Sequence, residues 1–310
     1  MNINLKKIVK IVGNIITLLA IYFVFKKLLG SNVDYSTLFT SKNFLPILII
    51  TLLQTLIVYT NCFPWKTIVS TLAHKKISFN EAVTVYTKSN ILKYLPGNVF
   101  QYVGRNELAT KKKISHVAVA TSTLIDILLN ILGAIIVSAI FLSNYLIKFV
   151  AQNKTVIFLV GSLFVISMLI LFLLFKTKLY SYAQKKGITF SKQLFSTFLF
   201  CLLYYVVILF FSSLLYILTL KYILGVSLTT SLFAKLLSAY TLSWLVGLIT
   251  PGAPAGIGIK EAVMLSVTEN LLGVNVITLS MITFRVLCTI ADFLAFLLAL
   301  LLDKTKFNTK

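Results

Sequence analysis

"KYLPGNVFQYVGRNELATKKK", Lys93 to Lys113, breaks an apolar run at Pro96-Gly97 and sets Arg105 and Glu107 just beyond the break. A second stretch, "LLSAYTLSWLVGLITPGAPAGIGIKEAVMLSV", Leu236 to Val267, breaks at Pro251-Gly252 and continues to Lys260 and Glu261. The two agree in detail. Tyr86-Thr87-Lys88-Ser89 precedes the first break and Tyr240-Thr241-Leu242-Ser243 the second, and a cation, Arg105 or Lys260, stands nine residues after each proline. Further on, "TLIDILL", Thr123 to Leu129, resembles "TIADFLA", Thr289 to Ala295, which brings Asp126 and Asp292 to matching positions.

The rest of the chain states the solvent in which these breaks sit. Hydrophobic residues make up 58% of the 310 and charged ones 12%, and mean hydropathy is +0.96. That composition excludes a soluble globule and describes an all-α polytopic membrane protein. Six segments have the length of roughly 20 residues that a spanning helix needs: Ile8 to Leu29, Phe44 to Phe63, Val117 to Leu142, Thr155 to Phe175, Leu194 to Leu220 and Val276 to Leu302. The N-terminal one reads as a retained helix, since no small-residue cleavage site follows it. A net charge of +21 would point to nucleic acid in a soluble chain. Here the lysines lie beside the membrane segments, so no nucleic-acid partner is expected and the charge serves topology and anionic lipid. Between the six spans, 20 lysines and arginines fall on one side and 8 on the other, and the intramembrane Arg285 completes the 29. The positive-inside rule then puts both termini in the cytoplasm of a cell-membrane protein.

Cys62, Cys201 and Cys288 lie in apolar runs without CxxC spacing, and the histidines are only two. No metal site, disulfide framework, catalytic histidine or cofactor is expected.

Two regions are too apolar for ordinary loops, residues 81–116 and 228–272. Leu236 to Thr250 is 15 residues, about 22 Å as a helix against a hydrocarbon core of about 30 Å. Such a helix enters, breaks at proline and glycine, and returns as a re-entrant hairpin; a Pro-kinked full span is the alternative. With two hairpins added to six spans, residues 1–150 and 151–310 of a single membrane domain become repeats, each of two spans, a hairpin and a third span. An odd number of crossings per half makes this an inverted-topology repeat, with a shared site offered alternately to each side. Helix ends at Pro96, Gly97, Pro251 and Gly252 present backbone N–H groups suited to an anionic headgroup, and Arg105 and Lys260 add full charges.

On a helix Arg285, Thr289 and Asp292 share a face, as do Thr123, Asp126 and Asn130. Charges in the bilayer are paired and face the bundle interior, so these read either as structural ion pairs or as headgroup or proton contacts. The candidate site residues are therefore Arg105, Glu107, Lys260, Glu261, Arg285, Asp292 and Asp126, with the two Pro-Gly breaks.

"YLPGNVFQYVGR" and "TPGAPAGIGIKEA" resemble the two signatures of the flippase-like family that includes the transmembrane region of lysylphosphatidylglycerol synthases and small stand-alone membrane proteins. The resemblance covers nearly the whole chain. In the family the second signature is closer to "PGGxGxRE"; here Ala253-Pro254-Ala255 interrupts the glycines and Lys260 replaces arginine, removing the planar fork that binds phosphate through two bonds. The resemblance implies translocation of an anionic phospholipid or a polyprenyl-phosphate-linked sugar between leaflets. It does not imply synthase activity, because only Asp303 to Lys310 follow Leu302 and an aminoacyltransferase domain is not expected. Two other readings stay open: a membrane-embedded transferase, for which Asp126, Glu107 and Glu261 are the available carboxylates, and an accessory subunit for a glycosyltransferase partner in cell-envelope synthesis.

Overall fold

The computed structural model describes residues 40–95, 99–152, 192–250, 254–268 and 271–305, and the secondary structure of these residues is helical. The first and fourth expected spans, 8–29 and 155–175, lie outside them, as do Pro96, Gly97, Pro251 and Gly252.

Helix α1, Ser41–Thr60, bends at Asn61 into α2, Cys62–Ala73. Helix α3, Phe79–Asn90, starts at a capping box in which the Glu81 backbone N–H donates to Ser78 Oγ and the Ser78 N–H donates to the Glu81 carboxylate. This reciprocal pair satisfies two helix-end donors and fixes where the helix begins. A tight turn, Ile91–Tyr94, follows, and α4, Phe100–Thr110, leads away from it. The long helices α5, His116–Gln152, and α6, Lys192–Tyr222, come next. Helix α7, Thr230–Ile249, is capped by the Thr229 hydroxyl, which accepts from the Leu232 N–H at 3.2 Å. A short turn, Pro254–Gly256, joins it to α8, Ile259–Thr268, and α9, Val274–Thr305, closes the described chain.

Among the described residues five stretches are long and apolar enough to cross a membrane: Ser41–Ala73, His116–Ile140, Leu194–Tyr222, Thr230–Ile249 and Val274–Asp303. Four of them coincide with spans expected from sequence. The fifth differs from the fifteen-residue reading. Helix α7 has 20 residues, about 30 Å, because the Thr229 cap starts it six residues before Leu236. Lys235 sits inside this helix without ending it, as a long cationic side chain can run along an apolar surface to a polar region.

Surface and interior are arranged as lipid solvation requires. Phe44, Leu45, Leu48, Leu52 and Leu56 point outward along α1, and Leu124, Leu128, Leu132 and Ile135 along α5, while Gln54, Thr55, Asp126, Ser138 and Asp292 are buried. An apolar exterior of this extent would drive aggregation in water and is neutral in hydrocarbon. In the interior Tyr216 stacks on Tyr240 at 4.7 Å, with Phe284 edge-on to both.

Packing among these helices is reciprocal. Helix α5 lies against α6 and α7, and α9 lies against α1 and α3. Helix α3 also packs on α4, and α7 on α8. The matched serines behave alike: Ser89 Oγ donates to the Tyr86 carbonyl and Ser243 Oγ to the Tyr240 carbonyl, both at 2.8 Å.

Candidate functional site

Two short turns, one after α3 and one after α7, meet. The Ile91–Tyr94 turn packs on the Pro254–Gly256 turn, and Ile91, Tyr94 and Leu95 form a small apolar cluster with Ala255, Ile257 and Phe296. Beneath the contact lies a cavity of about 180 Å³, walled by α1, α3, α4, α5, α6 and α7 and reached by Lys260 from α8.

Its charged groups come from the Ile91–Tyr94 turn, α4, α5 and α8. Arg105 on α4 is 2% exposed and reaches Asp126 on α5, Nη1 to Oδ2 at 3.1 Å. The guanidinium also lies 3.9 Å from the centre of the Tyr86 ring, with the Trp65 and Tyr102 rings each at 5.8 Å. Aromatic faces stabilise a cation shielded from water. The other Asp126 oxygen accepts from the Tyr205 hydroxyl on α6, so Asp126 is held from two directions.

Asp292 on α9 is the second buried carboxylate and the matched partner of Asp126. Lys93 Nζ lies 2.6 Å from its Oδ2, the Tyr94 hydroxyl donates to the same oxygen at 2.6 Å, and the Asn90 amide donates to Oδ1 at 2.8 Å. Every one of these partners belongs to the end of α3 or to the Ile91–Tyr94 turn, so Asp292 ties that turn to α9. The Tyr94 hydroxyl also reaches Thr289 Oγ1 at 3.3 Å. The face expected to carry Thr289 and Asp292 is therefore the face that the tip binds.

Lys260 differs from Arg105, its counterpart in the sequence correspondence. Strict correspondence with Arg105 and Asp126 would pair it with Asp292, but Lys93 occupies that carboxylate, and among the described residues no carboxylate lies within ion-pair distance of the Lys260 ammonium. Its stem crosses two glycines. A Cβ on Gly247 would sit 2.7 Å from Lys260 Cγ, and one on Gly256 2.9 Å from its Cε. Gly256 also has φ +72°, in the region that favours glycine. Lys260 belongs to the ten-residue α8, outside the candidate spans; burial, with the Arg285 and Lys93 cations nearby, pulls its ammonium down to about 8.

The remaining expected residues fall elsewhere. Arg285 pairs with Glu261, Nη1 to Oε1 at 2.5 Å, and the Glu261 carboxylate also accepts from the Gly258 N–H at 2.8 Å, so this pair secures the start of α8 beside the cavity instead of lining it. Glu107 is exposed and pairs with Lys111 one turn on, at 3.1 Å, and does not line the cavity.

Several lining groups were not singled out from sequence: Lys93, Asn90, Gln54, Asn61, Gln101 and Trp244. Lys93 had a signal, since it stands in the quoted stretch three residues before Pro96. The carboxamides had a weaker one: Gln54 interrupts the otherwise apolar run of α1 and Asn61 marks its bend. Comparison with protein-family models, with curated proteins and with solved structures finds no match to this chain.

Proposed function

We propose that this chain is a lipid translocase of the cell membrane, which holds the anionic headgroup of a phospholipid or of a polyprenyl-phosphate-linked sugar between its two hairpins and passes it from one leaflet to the other. The observation that carries the reading is the charge balance of the cavity. Lys93, Arg105 and Lys260 line it; Asp292 pairs with Lys93 and Asp126 with Arg105, which leaves Lys260 as the lining cation that no described carboxylate offsets. An uncompensated cation in a space withdrawn from bulk water, with two paired ones beside it, attracts phosphate.

Three features add support. The Pro-Gly sequences repeat in order along the chain, α5 packs on α6 and α7 as α9 does on α1 and α3, and the turns that flank the two Pro-Gly sequences touch. Read together with the charge asymmetry, they favour an inverted repeat with both termini cytoplasmic, re-entrant hairpins opening to opposite sides, and alternating access to one site. The flippase-like family resemblance points the same way, and the pathway it leaves room for includes a glycosyltransferase partner that makes or uses the lipid.

Lipids retained through purification test the proposal. Mass spectrometry of the protein extracted from membranes of mixed composition should find anionic lipids enriched over zwitterionic ones, and the Lys93→Gln/Lys260→Gln variant should lose the enrichment. Equal retention of both classes by the wild-type protein would refute it.

A further inference from the structure

The cavity wall carries more carboxamide than its ion pairs use. Asn90 is committed to Asp292, but Gln54 Oε1, Asn61 Oδ1 and Asn130 Oδ1 are buried without a hydrogen-bond partner, as is Arg105 Nε. All four residues line the cavity, and Gln54 is only 8% exposed. Buried polar atoms in proteins are nearly always paired, so a cluster of unpaired ones around a single space calls for a partner that the chain itself does not supply.

The chemistry of that partner follows from its surroundings. Three of the four atoms are carbonyl oxygens and need a donor, which an ammonium or a hydroxyl can provide. An ammonium entering here would meet Lys260, whose charge no described carboxylate offsets, and would find Asp126 already engaged by Arg105 and Tyr205, and Asp292 by Lys93. A like charge without a counter-ion in a desolvated site acts as rejection. Hydroxyls carry no charge and both donate and accept, so they answer a carboxamide in either orientation and Arg105 Nε as well. Trp244 and Tyr102 add flat apolar faces to the same wall, suited to the carbon face of a ring or of a short polyol.

Resting on the headgroup reading above, we infer that the cavity selects a headgroup in which an anionic phosphate is joined to an uncharged polyol, a glycerol or a sugar, and excludes one that carries an amine. A lysyl-bearing lipid, the product of the synthases that the sequence resembles, is then not the cargo of this chain.

Competition binding to the purified full-length protein, read by native mass spectrometry, tests this with defined short-chain probes. Phosphatidylglycerol is compared with phosphatidic acid, a prenyl phosphohexose with the bare prenyl phosphate, and lysyl-phosphatidylglycerol with phosphatidylglycerol. At least one polyol probe should bind about tenfold tighter than its counterpart without hydroxyls, the scale of one or two hydrogen bonds. Whichever polyol leads identifies a glycerophospholipid or a polyprenyl source. Lysyl-phosphatidylglycerol should bind at least about tenfold weaker than phosphatidylglycerol. Gln54→Leu/Asn130→Leu should erase the polyol preference while leaving phosphatidic acid binding in place. The inference is overturned if phosphatidic acid and bare prenyl phosphate bind as tightly as their polyol partners, or if the lysyl lipid binds as tightly as phosphatidylglycerol; the wild-type comparison decides even if the double variant misfolds. Failure of every anionic probe to bind would instead refute the headgroup reading, and this inference with it.

Discussion

Arg105 and Asp126 bear on stability and on the site at once, and the structure separates the two roles. The pair is enclosed, with Arg105 2% and Asp126 3% exposed and 3.1 Å between Nη1 and Oδ2. Arg105→Ala leaves the Asp126 carboxylate buried with only the Tyr205 hydroxyl as a partner. Removing one member of a buried pair costs about 3 to 5 kcal/mol, chiefly for the uncompensated charge left behind. Loss of the stacked Tyr86 contact adds up to about 2 kcal/mol. Asp126→Asn should cost less, because Arg105 keeps the three aromatic rings and faces a polar cavity. Arg105→Met/Asp126→Leu removes both charges and keeps volume, so it should recover much of the loss of Arg105→Ala. Equilibrium unfolding in mixed micelles provides the assay, and Trp65, whose ring lies 5.8 Å from the guanidinium, reports locally by fluorescence. Coupling of several kcal/mol between the two sites is expected. Additivity of the single variants within about 0.5 kcal/mol, the behaviour of sites that do not interact, would refute the pairing and with it the assignment of Arg105 as the inner wall of the cavity.

Four further outcomes follow from the same geometry. Asp292→Asn should destabilise the first hairpin tip by about 2 to 4 kcal/mol, the scale of charged hydrogen bonds lost from Lys93 and Tyr94, and proteolysis between Lys93 and Arg105 should rise; an unchanged cleavage rate would separate Asp292 from the tip. Gly247→Ala should weaken anionic lipid retention as much as Lys260→Gln does, because the new Cβ displaces the lysine stem, and wild-type retention would show that the stem does not lie there. Lys260 is charged below about 8 and neutral above, so anion retention should fall as pH rises through that value in the wild type and stay level in Lys260→Arg; a level wild-type profile would remove Lys260 from the anion site. With Cys62, Cys201 and Cys288 replaced by alanine, single cysteines at Lys112 and Lys185 should label only from the cytoplasmic side and ones at Asn144 and Asn270 only from outside, and cytoplasmic labelling at Asn144 would overturn the topology.

Helical class and most of the described spans were legible in the sequence, because hydrocarbon imposes a length and a polarity that hydropathy reads directly. The start of α7 was not, since Lys235 looked like the end of an apolar segment and the Thr229 cap that begins the helix lies in a polar loop. Arg105 and Asp126 were legible as charges that needed burial, and their pairing emerged only with the fold. Periodicity places residues on a face but does not say which helix that face meets. Lys93 shows the same limit: its proximity to Pro96 was visible, its capture of Asp292 was not, and that capture is what leaves Lys260 facing the cavity without a carboxylate. Glu107 was grouped with Glu261 by sequence correspondence, but α4 turns Glu107 outward to Lys111 while Glu261 is held between Arg285 and the Gly258 N–H.

The central claim is that the two hairpins carry one anionic headgroup between leaflets, and inter-leaflet movement in proteoliposomes tests it most directly. Fluorescent phosphatidylglycerol and a fluorescent prenyl phosphohexose are placed in vesicles with and without the protein, and the fraction reached by a membrane-impermeant quencher is followed in time. The wild-type protein should bring inner-leaflet probe of at least one kind to the quencher faster than protein-free vesicles do, and Lys260→Glu, which sets an anion where the headgroup phosphate is held, should abolish the gain while the variant remains folded. Movement of both probes at the protein-free rate with wild-type protein, or undiminished movement with Lys260→Glu, would contradict the account.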